Sequence, residues 1–368
     1  MQRAVTAPIH WPEGFRSVYP QYLPNMSIPA SSLSRVSRTL SIIACLATVL
    51  SFARAQQPVA PAAPAASAPA AGAPGGGGAR GGAPAVPPIE VAWDDSIPAG
   101  TAEHATRQMA ETKRKGEWVD IAMKDGTKLH SWVTYPDGTA KAGVVLVIHD
   151  IFGLADVTRA VGDQLAQDGF ISIVPDFLSG KGPNGGGVES LRAASAPAAA
   201  GAAAGGRGGV GGSVGTAIQG LTDLNDRLDA AMAYGKTLAR SNGKTGVIGF
   251  CWGGTGSFNY AAYQQGLNAA VVYYGNPTLT GDMTYETKLA NVKAPVIGFY
   301  GGTDMRINAT IPDTDAAMKK LGKSYESHIY DGAGHGFMSQ QAGQGGANLK
   351  AAQQSWPLVV AFYKKNLN

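Results

Sequence analysis

Six short apolar runs rich in β-branched and aromatic residues, with helical segments between them, constrain the fold of this chain more than any other feature. They are GVVLVIH (143–149), FISIVPD (170–176), TGVIGF (245–250), AAVVYYG (269–275), PVIGFYG (295–301) and YESHIYD (325–331). Most lack the polar alternation of a half-exposed strand, so they read as parallel strands covered on both faces. Residues 155–169, 213–240, 313–322 and 347–366 have helical spacing. The second carries apolar side chains at 214, 218, 221, 224, 228 and 232, and Pro357 interrupts the last. Strand and helix in alternation predict an α/β fold, a mostly parallel central sheet with helices on both faces. Ahead of it, EWVDIAMKDGTKLHSWVTYP alternates on both sides of Asp125-Gly126, which predicts an N-terminal antiparallel hairpin at one edge of the sheet.

The first quarter of the chain stands apart from that pattern. Residues 1–55 read as an N-terminal extension with a secretory signal that begins at Met26, the residues before it being upstream of the true start. Arg35 and Arg38 flank the apolar run TLSIIACLATVLSF, and Ala-Arg-Ala before Gln56 supplies the small-residue cleavage pattern. Cleavage near Ala55 and export, periplasmic or secreted, are expected. The apolar run is about 14 residues against the ~20 of a spanning helix, so the processed chain is expected to have no membrane partner. Residues 56–89, dominated by Pro, Ala and Gly, cannot bury enough surface to offset ordering entropy and form a disordered linker. The remaining 90–368, roughly 280 residues, suit one large domain. Inside it, 179–212 is mostly Gly, Ala and Ser, too long for an ordinary connection. It is either a lid over the carboxyl end of the sheet or an insertion without function.

Charge narrows the partners. Loss of residues 1–55 removes five arginines and Glu13, leaving 25 basic and 25 acidic side chains. A balanced chain without long basic runs gives no electrostatic case for nucleic acid or an anionic membrane surface. A small molecule is the expected partner, and a monomer the expected state.

Removal of Cys45 with the signal would leave Cys251 alone, without a disulfide partner and without neighbours at metal-ligand spacing. It is then either an inert core residue or a reactive thiol. Its setting, Gly-Phe-Cys-Trp-Gly-Gly, joins a strand to a helix in a turn too sharp for side chains at Gly249 and Gly253, which favours the nucleophile. A helix starting at Trp252 is expected to lower the thiol pKa. Asp304 and His335 also follow apparent strands, and the order nucleophile, acid, histidine is that of the α/β-hydrolase triad. His335 sits in Gly-rich DGAGHGFM as the general base, with His149 as its rival at a strand end. Asp304 orients the imidazole, against the alternatives of a helix N-cap and of Asp331 in its place. Phe152, Tyr274 and Phe337 are the candidate pocket residues; core packing is the alternative for Tyr274.

VVLVIHDIFGLADVTRAVGDQLAQDGFISIVPDFLSG, VIGFCWGG, FYGGTD and GAGHGF together resemble the dienelactone hydrolase family of α/β-hydrolases over about 115–367. The resemblance implies a Cys251, Asp304 and His335 triad. It implies hydrolysis of a small ester or lactone, of carboxymethylenebutenolidase type, through a thioester acyl-enzyme, with no cofactor and no metal. It further implies an oxyanion hole made by the amides of Ile151 and Trp252, and a thiol-activating carboxylate at Asp150, where the family usually has glutamate. The family's substrate-binding arginine shortly after the histidine has no counterpart in HGFMSQQ, so a substrate other than dienelactone is expected. A catalytically silent binding protein and an acyltransferase are the competing classes.

Overall fold

The computed structural model describes residues 87–195, 210–277 and 285–368. The extension, the signal and all but the last residues of the linker lie outside them. Eight strands form one sheet: β1 (Gly116–Ala122), β2 (Lys128–Thr134), β3 (Ala142–Ile148), β4 (Ile171–Pro175), β5 (Ser241–Phe250), β6 (Ala269–Tyr273), β7 (Val296–Gly301) and β8 (Tyr325–Tyr330). Their spatial order is β1-β2-β4-β3-β5-β6-β7-β8. The β1-β2 hairpin lies at one edge, β2 pairs antiparallel with β4, and the six strands from β4 to β8 are parallel.

Among the described residues ten helices accompany the sheet: α1 (Ala102–Glu111), α2 (Asp156–Gln167), α3 (Val188–Ser195), α4 (Val210–Gln219), α5 (Leu224–Thr237), α6 (Trp252–Tyr263), α7 (Tyr285–Asn291), α8 (Met305–Asn308), α9 (Ile311–Lys320) and α10 (Ala347–Leu367). Every residue of β3, β4, β6 and β7 is buried, which is why these runs lack alternation in the sequence. Successive side chains of a strand point to opposite faces. Val145 and Val147 join Val161, Leu165, Trp356 and Val359 in one core, from α2 and α10. Val144, Leu146 and Ile148 join Leu228, Met232 and Phe258 in the other, from α5 and α6. Each fully buried side chain of this kind contributes about 1.5–3 kcal/mol, so the central strands hold the two layers together.

One expectation is corrected. Residues 213–240 are not one helix: the chain breaks between Gln219 and Leu224. Val214 and Ile218 of α4 enter the first core, whereas Leu228 and Met232 of α5 enter the second. One straight helix cannot cover both faces of a sheet. The described part of the tract 179–212 contains α3 and the start of α4. Pro357 stands inside α10 without ending it.

A buried ion pair ties the approach to the hairpin onto α2. The Asp163 carboxylate is fully buried and accepts from Gln108 Nε2 at 2.8 Å, Thr112 Oγ1 at 2.8 Å and Arg114 Nε at 2.9 Å and Nη2 at 2.5 Å. Removing one partner of such a network leaves the others stranded. Asp163→Ala is therefore expected to lower the unfolding free energy in a urea titration by about 3–5 kcal/mol; a loss below about 1 kcal/mol would mean that water replaces the carboxylate.

Candidate active site

In an open parallel sheet the loops beyond the carboxyl ends of the strands meet at one rim. Loop 149–155 follows β3, Cys251 follows β5, Tyr274 follows β6, Asp304 follows β7 and His335 lies in the loop after β8. Cys251 is the N-cap of α6, with φ 56° and ψ −114°, a conformation that ordinary side chains adopt only under strain. Its amide donates to the Tyr273 carbonyl at 3.0 Å. A Cβ at Gly249 would stand 1.9 Å from the Gly253 carbonyl oxygen, and one at Gly253 would stand 2.4 Å from the carbonyl oxygens of Ile148 and His149. The glycines flanking the cysteine thus permit backbone to pass against backbone, the close approach expected from the sequence.

Asp304 is the N-cap of α8, yet its side chain makes no capping bond. Its Oδ2 lies 2.5 Å from His335 Nδ1. The Nδ1 proton is thereby directed at the carboxylate, and Nε2 has no hydrogen-bond partner among the described residues. Asp331, the rival acid, is exposed. His149, the rival base, is fully buried and held at both nitrogens: Nδ1 donates to the Asp150 carbonyl at 2.9 Å, and Nε2 accepts from the Phe177 amide at 3.4 Å. Burial pushes its pKa down, so it serves as a neutral strut.

The Cys251 thiol departs from expectation. Burial pushes its pKa up, a backbone hydrogen bond from Trp252 opposes this, and the charges of Asp150 and Asp304 raise it while that of Arg306 lowers it. Desolvation outweighs the helix N-terminus, and the resting thiol is neutral. These shared interactions, with that between His335 and Asp150, bring the cysteine, both carboxylates and the histidine into one electrostatic environment. Asp150 is half-buried, and its partial removal from water raises its pKa. Its Oδ1 accepts from the Phe152 amide at 2.8 Å, so the carboxylate also braces its own loop. The Ile151 amide has no acceptor among the described residues, and the Trp252 amide points at the sulfur. Two donors of this kind are what an oxyanion requires.

The aromatic candidates separate. Phe152 is 47 % exposed on the loop. Tyr274 is buried, its ring 5.1 Å from that of His335 at 60°, and its φ is 38°. Phe337 is fully buried against Tyr273, Tyr274 and Tyr330. As a pocket residue it is corrected: three rings screen it, and it packs behind Tyr274.

Sequence reasoning missed how the Gly/Ala tract reaches this site. Arg192 of α3 donates Nη2 to the Phe152 carbonyl at 2.9 Å, and its charge acts on Asp150 and His149. Gly153, with φ 80°, lies where a Cβ would stand 2.5 Å from Val188. Arg192 and Arg207 are the two arginines of that run of small residues, and nothing in the sequence placed either of them. Two cavities of about 860 and 740 Å³ are not lined by Cys251, Asp304 or His335; the hydrogen bonds, not these hollows, mark the site. The second is bordered by Trp252 and Thr255 of α6.

Residues 129–367 match the model of the dienelactone hydrolase family. A protein of Methylorubrum extorquens named "Putative carboxymethylenebutenolidase" is 28% identical over 255 residues, 67% of this chain and 80% of the relative. One of the same name from Saccharolobus solfataricus is 27% identical over 256 residues, 66% of this chain and 95% of the relative. The crystal structure of a "Putative Dienelactone Hydrolase" from Klebsiella pneumoniae superposes with a TM-score of 0.55 at 21% identity, covering 69% of this chain and 99% of that one. That likeness shows the α/β-hydrolase fold.

The electrostatics of the thiol give a measurable sign. A thiol whose pKa is raised is neutral below that pKa and reactive only above it. Alkylation of the unliganded protein by iodoacetamide, followed by intact mass, is expected to titrate above the ordinary thiol value of about 8.5. Asp150→Asn removes a negative charge and should move the titration down; Arg306→Gln should move it up. A titration below the ordinary value would show that the helix N-terminus outweighs burial.

Proposed function

We propose that this chain, which belongs to the dienelactone hydrolase family, hydrolyses a small carboxylic ester or lactone with Cys251 as its nucleophile. The observation that carries the reading is the 2.5 Å contact between His335 Nδ1 and Asp304 Oδ2, which leaves Nε2 as the basic nitrogen at the rim where Cys251 is held on its strained turn. The names of the relatives support an ester or lactone as the substrate.

In this reading His335 Nε2 takes the thiol proton as sulfur attacks the carbonyl carbon, and Asp304 stabilises the imidazolium. The amides of Ile151 and Trp252 bind the oxyanion, typically worth about 3–4 kcal/mol for each donor removed. Collapse breaks the C–O bond, His335 returns the proton to the leaving alcohol, and a thioester remains. Water, deprotonated by His335, then releases the acid and restores the thiol. Burial keeps the resting sulfur protonated and the Asp150 charge adds to this, so in the resting state Asp150 opposes thiolate rather than activating it as the resemblance implied. Arg192 acts as a positioning residue, holding the loop that carries Ile151. The same proposal includes export with cleavage near Ala55 and a monomeric chain.

The test offers purified protein a series of p-nitrophenyl esters and lactones. Cys251→Ala and His335→Ala are each expected to lower kcat by about 10³-fold or more, and iodoacetamide should abolish turnover. Acid quench during turnover should trap an acyl adduct on Cys251 by mass. Activity that survives alkylation would overturn the cysteine mechanism, saturable binding without turnover would mark a silent binding protein, and product partitioning to added alcohols would mark a transferase. Export is tested separately by N-terminal sequencing of the protein recovered outside the cytoplasm, with Gln56 expected first; an intact N-terminus would overturn it.

A further inference from the structure

The cavity of about 860 Å³ lies outside the catalytic group but adjoins it. Leu154 and Ala155, from the loop that carries Ile151, form part of its wall. Arg192 lines it too, while donating Nη2 to the Phe152 carbonyl. Its volume falls within the 300–1,000 Å³ typical of ligand sites.

The opposite wall is the outer face of the β1-β2 hairpin. Trp118 is 43 % exposed there, and His130 stacks on it at 4.5 Å and 7°. Trp132 stands edge-on to Trp118 at 5.2 Å. The Arg159 guanidinium lies 4.3 Å from the Trp132 centroid and 5.3 Å from that of Trp118. An indole so backed keeps a fixed orientation, and the part of it that His130, Trp132 and Arg159 leave uncovered presents apolar surface to the cavity.

The charges in the wall are already matched. Asp120 pairs with His130 at 2.9 Å and Lys128 at 3.7 Å, Asp156 with Arg159 at 2.9 Å, and Glu189 with Arg192. Asp176 accepts from the amides of Leu178 and Val188. A strongly charged ligand would have to break these pairs. An aromatic ligand would strip water from the carboxylates without offering donors in return. A neutral polyhydroxylated ring does neither: its hydroxyl groups donate to the carboxylates and accept from the guanidinium groups. The C–H groups of such a ring suit the apolar surface of Trp118 that stays exposed in the cavity.

We propose that this cavity is a binding subsite for a neutral saccharide, and that the ester cleaved at Cys251 is one carried by a sugar. The second clause rests on the ester-hydrolase reading; the first does not, and the experiment separates them.

Binding is measured on full-length Cys251→Ala protein, which cannot turn over, by isothermal titration and ligand-observed NMR. The probes are glucose, xylose, galactose, xylobiose and cellobiose, with galacturonate and benzoate as charged and aromatic comparisons. At least one neutral sugar is expected to bind with a Kd in the millimolar range or tighter. Trp118→Ala in the same background should weaken it by about tenfold, and Trp93→Ala, an exposed tryptophan elsewhere, should leave it unchanged. Asp120→Asn, nearly isosteric, should also weaken it and guards against misfolding of the tryptophan variant. In the otherwise wild-type enzyme, Trp118→Ala should raise KM for acetylated xylobiose about tenfold while kcat holds. No binding by any neutral sugar, tighter binding of galacturonate than of galactose, or preference for benzoate would each overturn the proposal. Sugar binding with no Cys251-dependent hydrolysis would leave the subsite standing and overturn its link to the ester.

Discussion

Everything at the rim depends on the crossing of backbone over backbone where β5 turns into α6. The α6 helix can begin directly at Trp252 only because Gly249 meets the Gly253 carbonyl, and Gly253 meets those of Ile148 and His149, without intervening side chains. That approach sets Cys251 at φ 56° and hands its amide to the Tyr273 carbonyl. The next residue, Tyr274, is itself at positive φ and lays its ring against His335. One dipeptide at the end of β6 therefore touches both the backbone of the thiol residue and the imidazole. Strain at two adjacent points of a buried rim persists because the two cores on either side of the sheet hold it there.

The loop 149–155, proposed to carry an oxyanion donor, is supported differently. Three contacts brace its exposed middle: the Asp150 carboxylate on the Phe152 amide, the Arg192 guanidinium on the Phe152 carbonyl, and Val188 against Gly153. Two of these come from α3, within the Gly/Ala-rich tract. The tract is thus connected to the chemistry through the loop that it clamps. The same helix lines the cavity assigned to a saccharide, which would place recognition and oxyanion geometry on one element.

Much of this was legible in the sequence because the constraints are local. Unalternating apolar runs can only be strands covered twice, and glycines on both sides of one cysteine mark a tight turn before any coordinates are seen. The Asp304 and His335 pairing followed from topology, since a parallel sheet gathers its strand ends. What was not legible depends on long-range packing. The break between α4 and α5 arises because their apolar faces serve opposite sides of the sheet, which a continuous helical period conceals. Phe337 was named as a pocket candidate, but which way a loop side chain turns is decided by its packing, here against Tyr273, Tyr274 and Tyr330. Arg192 had no periodicity to place it.

The largest disagreement, the sign of the thiol shift, carries a functional argument. A helix N-terminus favours thiolate, yet removing sulfur from water and setting Asp150 and Asp304 near it act the other way. Oxidation of cysteine follows thiolate character and exposure. A lone thiol kept neutral and half-buried therefore resists sulfenic acid formation in the oxidising compartment proposed for this chain. In the mechanism proposed above, the consequence is that sulfur is deprotonated within the catalytic cycle, by a base positioned before substrate arrives. The Asp304 contact with His335 provides that readiness, so the protection of the thiol and the rigidity of the histidine are two parts of one solution.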